Sequence, residues 1–350
     1  MDIQSAKKVT INQVAEYCGV SKTTISRFLN GKFENMSDET KSRISSAIEE
    51  LNYRPDRSAQ RLKASKTMLI GCVVGDVSSP FSALLLRGIF SVCEEAGYQV
   101  LLADSHENAE RERRAIQGFI ENRVDGLIIN SCGENDDFLL ELRESGIPTV
   151  LADRPLSSPG LIDTVSSSNL ATATECVRFL FEQGFSSVAF FSQNMGHITP
   201  RLLRCEGYKK GIELYAAEGT EADIYEFDSH DQEACKQHIN TFISKHPDER
   251  VAILVSNGTS AQTVLCALNF MGAKIGYKLG LCTFDDWDWL EISSPGITAV
   301  ALGSVEIGAK SARLLIDTIN GKRESEAPAD ILIDAKLTVK ESTPGPKGYF

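Results

Sequence analysis

The chain has 350 residues, of which 42% are hydrophobic and 24% charged, a composition typical of a globular protein. No apolar run is long enough to span a bilayer and the N-terminus lacks a hydrophobic leader, which disfavours membrane and secreted proteins. Its nine cysteines form no CxxC motif, and the odd count argues against a complete disulfide framework. We therefore expect a cytoplasmic protein with reduced thiols.

Charge is divided unequally along the chain. Residues 1–66 hold 12 Lys and Arg against 8 Asp and Glu, a net charge of +4, whereas the remainder holds 24 against 40, a net charge of −16. A basic head on an acidic body suits a protein whose head alone meets phosphate. Chance variation in a solvated surface is the alternative reading of so small an excess.

Three short helices are predicted in the basic head. A capping box that begins at Thr10 opens the first helix, and Gly19 ends it. Ser21 can cap a second helix over residues 22–30, and a third follows Ser37. Three helices of this size, with a glycine in the first turn, are typical of a helix-turn-helix module.

The segment from Val9 to Gly31, VTINQVAEYCGVSKTTISRFLNG, resembles the signature of the lactose/galactose repressor (LacI/GalR) family. The resemblance implies that the second helix enters the major groove of DNA. Lys22 and Thr23 are then expected to read base edges, since Lys can donate to guanine and a Thr methyl can meet thymine. Ser26 and Arg27 lie one turn further on, and Arg27 reaches a guanine or a phosphate. Phosphate contacts, which position the protein without specifying sequence, are expected from Thr10, Thr24 and Asn30. A small helical domain that binds protein is the alternative.

Residues 53–66 join the head to the body. Pro55 can begin a short helix. Basic residues, among them Arg57 and Lys63, would make this helix positively charged. So short a helix is unstable alone, so we expect it to form only when two copies pack together on DNA. The stretch resembles the family's hinge helix, which implies that Leu62 wedges into the minor groove and kinks the duplex. A flexible linker is the alternative.

Residues 67–340 alternate short apolar runs with helical patterns, which predicts an α/β fold with parallel sheets and helices on both faces. Strands are expected at 68–74, 98–103, 124–130 and 148–152, and again at 187–192, 223–227, 251–255 and 279–283. The family resemblance extends over this body and implies two lobes of the periplasmic-binding-protein type with the ligand between them.

The predicted domains are a helix-turn-helix domain at 1–52, a hinge at 53–66, an effector-binding domain at 67–340 and a tail at 341–350. The first lobe is expected at about 67–165 and 297–322, and the second at about 166–290 and 328–340. The run 297–302 and the helix 305–320 would then rejoin the first lobe, and the run 331–339 the second. The tail carries no leucine heptads, which argues against a tetramerising coiled coil, while a paired hinge calls for a homodimer.

Ligands of such sheets bind outside the carboxyl ends of the strands. Candidate effector-binding residues follow from those positions and from the resemblance: Phe81, Asp153, Arg204, Asn257, Asp285 and Trp287. Arg204 can hold a hydroxyl pair or a carboxylate bidentately. The Asp and Asn side chains would accept from hydroxyls, and the aromatic rings would stack on an apolar face. For Phe81 the alternative is a place in the core.

Two departures from the family pattern bear on the effector. Relatives often carry Asn-Asp where this chain has Asn257-Gly258, and an acid where it has Ser168. Losing acids while keeping Arg204 suits a carboxylate effector. An effector that simply differs from the neutral sugars of many relatives is the alternative. The segments IGCVVGDVSSPFS, EEAGYQVLLADS and FDDWDWLEISSPGITAV also resemble a subgroup linked to catabolism of sugar acids, notably 2-keto-3-deoxygluconate and ketogluconate.

The sequence contains no Walker A, GxSxG, HExxH or zinc-ligand motif, and its five histidines show no metal spacing. No catalytic residue, metal or cofactor is therefore predicted. An enzyme with a DNA-binding head is the main rival, because this fold also hosts enzymes. A secreted sugar-binding protein is the second. The prediction is an allosteric repressor in the bacterial cytoplasm, associated with the nucleoid, that binds a pseudo-palindromic operator as a homodimer.

Overall fold

The computed structural model describes residues 9–29, 31–34, 36–53, 66–229, 231–323, 325 and 327–346. The chain forms two compact units, at 1–67 and 68–350. Four predicted DNA contacts lie outside the described residues: Asn30, Arg57, Leu62 and Lys63.

The first unit is built from α1 (Ile11–Cys18), α2 (Lys22–Leu29) and α3 (Asp38–Glu50). The predicted capping box is present, since the Thr10 hydroxyl accepts from the amide of Gln13 and the Gln13 side chain accepts from the amide of Thr10 at 2.8 Å. Gly19 ends α1 with a left-handed φ of 62°. Ser21 accepts from the Thr24 amide at 3.1 Å, which confirms the predicted cap of α2.

One face of each helix in this unit is apolar. Val14, Ile25 and Ile44 come from α1, α2 and α3 respectively, and all three are fully buried. A core of this size fixes the three helices against one another and leaves the polar face of α2 outside.

The second unit contains two lobes. The first lobe begins with β1 (Leu69–Val74), α4 (Pro80–Glu95), β2 (Gln99–Asp104), α5 (Ala109–Glu121), β3 (Gly126–Ile129), α6 (Asp136–Glu144), β4 (Thr149–Ala152) and β5 (Asp163–Ser167). The second lobe follows with α7 (Asn169–Glu182), β6 (Ser187–Gln193), α8 (Thr199–Tyr215), β7 (Asp223–Phe227), α9 (Gln232–Lys245), β8 (Val251–Val255), α10 (Gly258–Met271), β9 (Leu279–Phe284) and α11 (Trp289–Ile292). The chain ends with β10 (Thr298–Ala301), α12 (Ser304–Ile319), β11 (Asp330–Ile333) and β12 (Lys336–Thr338).

The strands form two six-stranded sheets of the same order. The first sheet runs β2-β1-β3-β4-β5-β11 and the second β7-β6-β8-β9-β10-β12. The pairs are parallel except for β12, which runs antiparallel to β10. This repeat confirms the predicted pair of α/β lobes and brings the carboxyl ends of two parallel sheets to the region between them.

The last strands are distributed differently from the prediction. Residues 298–301 belong to the second lobe, because Ala299 pairs with Thr283 of β9. Residues 330–333 belong to the first, because Ile331 pairs with Val165 of β5. Of the run 331–339, β12 alone joins the second sheet. An apolar run signals burial but does not identify its partner, and both sheets accept a strand at the same edge.

Two further features were missed in the sequence. The segment 163–167, DTVSS, looks polar but forms β5, with all five residues buried. The predicted end of the effector-binding domain at residue 340 is too early, since Ser342 is fully buried in the second lobe. Its hydroxyl donates to the Leu281 carbonyl at 2.6 Å and accepts from the Thr298 amide at 2.8 Å.

The helix α12 does return to the first lobe, as predicted. It packs so closely on α4 that a Cβ at Gly88 would lie 2.1 Å from the Val305 carbonyl oxygen. The chain therefore passes between the lobes three times, between β5 and α7, between β10 and α12, and between β11 and β12. Short connections of this kind allow two packed lobes to rotate about a common hinge.

The nine cysteines are free thiols, and eight of them are buried. Within the described part of the chain, no helix is both long and apolar enough to cross a bilayer.

Candidate functional site

The exposed face of α2 carries the predicted base-reading residues. Lys22, Thr23 and Arg27 are exposed and Ser26 is half-buried, whereas Ile25 on the opposite face is fully buried. These positions lie on one side of a helix because residues four apart share a face. The first unit thus presents a polar and basic helix surface of the kind that fits a major groove.

Two predicted phosphate contacts already have structural roles. The Thr10 hydroxyl belongs to the capping box of α1. Thr24 shares a 2.9 Å hydrogen bond with the Ser21 hydroxyl at the start of α2. Both side chains therefore hold helix N-termini, which are themselves suitable for contacts with phosphate.

The six predicted effector-binding residues line one cleft between the lobes, with a volume of about 560 Å³: Phe81, Asp153, Arg204, Asn257, Asp285 and Trp287. This volume suits a small-molecule ligand.

The cleft receives matching residues from the two lobes. Asp153 follows β4 and Asp285 follows β9, the fourth strand of each sheet in chain order. Both are buried, and both have left-handed backbone conformations with φ of 69° and 68°. Such a conformation costs about 1 kcal/mol or more in a non-glycine residue and is often retained at ligand sites. Asn130 directly follows β3, and Asn257 lies two residues after β8, the third strands of the two sheets.

Arg204 lies at the floor of the cleft and is 3% exposed. Its Nε donates to the Asn169 side chain and its Nη1 to the Ser256 carbonyl, each at 2.7 Å. Burial lowers the pKa of Arg204, and the charges of Asp285 and Asp153 oppose that shift. These contacts lock the orientation of the guanidinium group.

The two carboxyl groups of the floor are also affected by burial. Burial raises the pKa of Asp153 and of Asp285, although the charge of Arg204 opposes the increase. Asp285 accepts from the Gly258 amide at 2.9 Å. Arg204 is the nearest positive charge to both carboxyl groups, and Arg154 and Arg201 act on them more weakly from the side of the cleft. The floor therefore offers acceptors suited to hydroxyl groups.

Trp287 explains the glycine at position 258. The ring is 6% exposed, and a Cβ at Gly258 would lie 2.5 Å from it. The indole therefore fills the space that a side chain at 258 would need, which makes this end of the cleft apolar. Phe81 lines the cleft and also packs against the cores of both lobes, so it has the alternative core position, and its contact with an effector stays a prediction.

Asn257 has a second role in addition to lining the cleft. Its Oδ1 accepts from the Ser260 amide at 2.8 Å and caps α10. Its amide N–H groups and the second lone pair of Oδ1 are then what Asn257 can offer to a ligand, and its predicted role as an acceptor stays a prediction.

A second charged cluster in the same cleft was missed in the sequence. Arg154 donates to Glu107 at 2.7 Å, and Arg201 donates to both carboxylate oxygens of Glu107 at 2.8 and 3.1 Å. Burial opposes ionisation of Glu107, but the two guanidinium groups outweigh it and lower its pKa. Arg201 lies one turn before Arg204 on α8, and Arg154 directly follows Asp153. Both arginines could therefore have been predicted as cleft residues from their predicted neighbours. Nothing in the sequence singles out Glu107.

This cluster joins the two lobes at one side of the cleft, because Glu107 and Arg154 belong to the first lobe and Arg201 to the second. Nearby, the Thr199 hydroxyl donates to the Pro155 carbonyl at 2.8 Å, again across the lobes. The described residues contain no group of three or more His, Cys, Asp and Glu side chains placed to hold a metal ion.

A three-helix head with an exposed basic helix, in one chain with a two-lobed body and a polar cleft, defines a ligand-responsive DNA-binding protein. Residues 10–56 match the model of the bacterial regulatory proteins of the lacI family. Residues 67–341 match that of the periplasmic binding proteins and sugar binding domain of the LacI family. The chain therefore belongs to the LacI family and is a DNA-binding regulator of transcription.

Individual relatives support this membership. The chain is 35% identical to the HTH-type transcriptional regulator KdgR of Bacillus subtilis (strain 168), over 95% of this chain and 97% of the relative. It is 30% identical to the HTH-type transcriptional regulator PtxS of Pseudomonas plecoglossicida, over 97% of each. Its fold is similar to that of the lac repressor dimer bound to operator and the anti-inducer ONPF, with a TM-score of 0.84 at 23% identity over 97% of this chain and 100% of that one.

Proposed function

We propose that this protein is a repressor that binds a pseudo-palindromic operator as a homodimer and responds to a sugar acid in the interlobe cleft. The observation that carries the proposal is the cleft itself. It combines buried acceptors from both lobes, a fixed arginine and an aromatic face in a volume of about 560 Å³. A polyhydroxy ligand with an acidic group matches those three kinds of contact.

On the DNA side, α2 enters the major groove. Lys22 and Thr23 read base edges there, Ser26 and Arg27 support them, and Thr10, Thr24 and Asn30 contact phosphates. Two copies are needed because the hinge, with Arg57, Leu62 and Lys63, is too short to form a stable helix alone. Their half-sites then lie on one face of the duplex, which gives the operator its two-fold symmetry.

On the effector side, Arg204 donates to ligand oxygens, Asp153 and Asp285 accept from hydroxyls, and Asn257 adds a polar contact. Phe81 and Trp287 cover an apolar face. The subgroup resemblance in the sequence favours 2-keto-3-deoxygluconate or a ketogluconate. Rotation of the lobes about their three connections would couple the cleft to the hinge, with a coupling free energy of about 1–3 kcal/mol.

The body binds its ligand without chemical turnover and works without a cofactor or metal, in the bacterial cytoplasm and in association with the nucleoid. The relatives reported above are regulators, which supports binding without turnover. Incubating the bound ligand with the protein and following its chemical integrity tests this part.

Calorimetry with 2-keto-3-deoxygluconate, 2-ketogluconate, ribose and a purine tests the effector class. We expect binding of one or both acids, and a change in affinity for a duplex selected from a random pool when the acid is added. Binding of ribose or the purine without either acid would rule out a sugar-acid effector. Absence of any preferred duplex, with or without ligand, would rule out operator recognition.

A further inference from the structure

The cleft contains two clusters of charged side chains with opposite net charge, so they favour different chemical groups of a ligand. The floor holds Arg204 with Asp153 and Asp285, two negative charges against one positive charge. The side of the cleft holds Arg154 and Arg201 with Glu107, two positive charges against one negative charge. An anionic group entering the cleft is repelled by the first cluster and attracted by the second.

The contacts of the arginines agree with this division. Arg204 already donates to Asn169 and to the Ser256 carbonyl, and its guanidinium group lies over the Phe284 ring, with 4.5 Å from Cζ to the ring centroid. Arg201 directs both of its Nη atoms to the carboxylate of Glu107. The side cluster is therefore a formed carboxylate-binding site, and the carboxylate in it belongs to the protein.

The backbone of the segment that carries Glu107 is strained. His106 and Glu107 are consecutive non-glycine residues with left-handed φ of 49° and 52°. Such conformations are unfavourable for residues with a side chain, and they persist where surrounding contacts hold them. The Glu107 side chain is also the most accessible of the three, at 26% exposed against 13% for Arg154 and 9% for Arg201. Of the three residues of this cluster, Glu107 is thus the one whose side chain can move out of the ion pair.

We propose that Arg154 and Arg201 form the subsite for the effector's carboxylate, and that Glu107 occupies this subsite until the effector replaces it. Arg204 then serves the hydroxyl end of the ligand together with Asp153 and Asp285. Because Glu107 and Arg201 come from different lobes, the exchange also replaces an ion pair between the lobes with a ligand held by both. This inference rests on the proposed sugar-acid effector and assigns its acidic end.

Two variants that each remove one charge test the exchange, because it predicts opposite effects for the two partners of one ion pair. Arg201→Gln should weaken binding of 2-keto-3-deoxygluconate or 2-ketogluconate by about 10- to 100-fold, the loss of one charge-assisted pair. Glu107→Gln should strengthen it by roughly threefold or more, because the fraction of molecules with a vacant subsite increases. Both are measured by calorimetry on the full chain at neutral pH.

Arg178→Gln is the matched control. Arg178 also pairs with two carboxylates, Glu175 and Glu182, but does so on the exposed surface of α7, so its loss should leave the dissociation constant unchanged. Urea unfolding of each variant confirms that it folds. If Arg201→Gln fails to fold, Glu107→Gln still tests the proposed exchange, because partial unfolding would lower the affinity for the effector and could not increase it.

The outcomes separate this inference from the function it rests on. If the native protein binds neither acid, the proposed effector class fails and the subsite fails with it. If the native protein binds an acid and Glu107→Gln weakens that binding or leaves it unchanged, the subsite is wrong while the effector class stands. A purely structural ion pair between the lobes would give that second result.

Discussion

Replacing Arg204 with glutamine tests the electrostatic account of the cleft floor. Arg204 is 3% exposed, makes two 2.7 Å hydrogen bonds and is the positive charge between Asp153 and Asp285. Removing one member of a buried ion cluster destabilises a protein by about 3–5 kcal/mol. Glutamine keeps one donor group, so we expect the lower end of that range, about 3 kcal/mol, at pH 7.5.

The loss of stability in Arg204→Gln should depend on pH, and the protonation of the two carboxyl groups decides whether it increases or decreases with pH. Burial raises the pKa of Asp153 and Asp285 above the ordinary value of 3.8, and Arg204 opposes this rise. Without Arg204 both pKa values rise further, so the folded state binds more protons than the unfolded state above pH 3.8. The variant is therefore most destabilised at neutral pH, and the difference from the native protein shrinks as the pH falls toward 3.8.

Urea unfolding of the native protein and the Arg204→Gln variant at pH 5.5 and 7.5 measures this effect. Adding Asp285→Asn to Arg204→Gln removes one uncompensated charge and should restore about half of the lost stability, without restoring effector binding. Arg178→Gln serves as the exposed control, expected within about 0.5 kcal/mol of the native protein. A loss that is below about 1 kcal/mol or equal at both pH values would refute the reasoning.

Three further predictions concern the head, the hinge and the contact between the lobes. Lys22→Ala should weaken binding to the preferred duplex by about 1–3 kcal/mol and relax the base preference at one position, measured by selection from random duplexes; an unchanged preference would argue against base reading by α2. Leu62→Ala should strongly weaken operator binding and reduce the DNA bend while calorimetry shows effector binding intact, and normal affinity and bending would exclude the wedge. Gly133→Ala should lower effector affinity about tenfold, because its Cβ would lie 2.1 Å from the His197 carbonyl oxygen across the lobes. Gly146→Ala, with a similar φ of +80° and open space around its Cβ, is the control, and equal effects of the two would attribute the loss to backbone strain alone.

The local pattern of the sequence was enough to place most strands and, through them, part of the cleft. The strands Asp223–Phe227 and Val251–Val255 have the predicted bounds. Asp153 and Asp285 were found because a polar residue at the carboxyl end of a parallel strand must lie at the edge where ligands bind. The capping box at Thr10 was equally visible, because its contacts join residues only three apart.

The tertiary structure decided the features that depend on residues far apart in the chain. Glu107 and Arg201 are 94 residues apart and meet only because the lobes close on one another. The same holds for β10 and β11, whose sheets were exchanged in the prediction, since apolar character sets the burial of a strand but not its partner. The sequence by itself determined which residues reach the cleft from the ends of strands. The packing of the two lobes decided which charges face each other there, because the strength of an ion pair depends on distance and burial in space and not on separation along the chain.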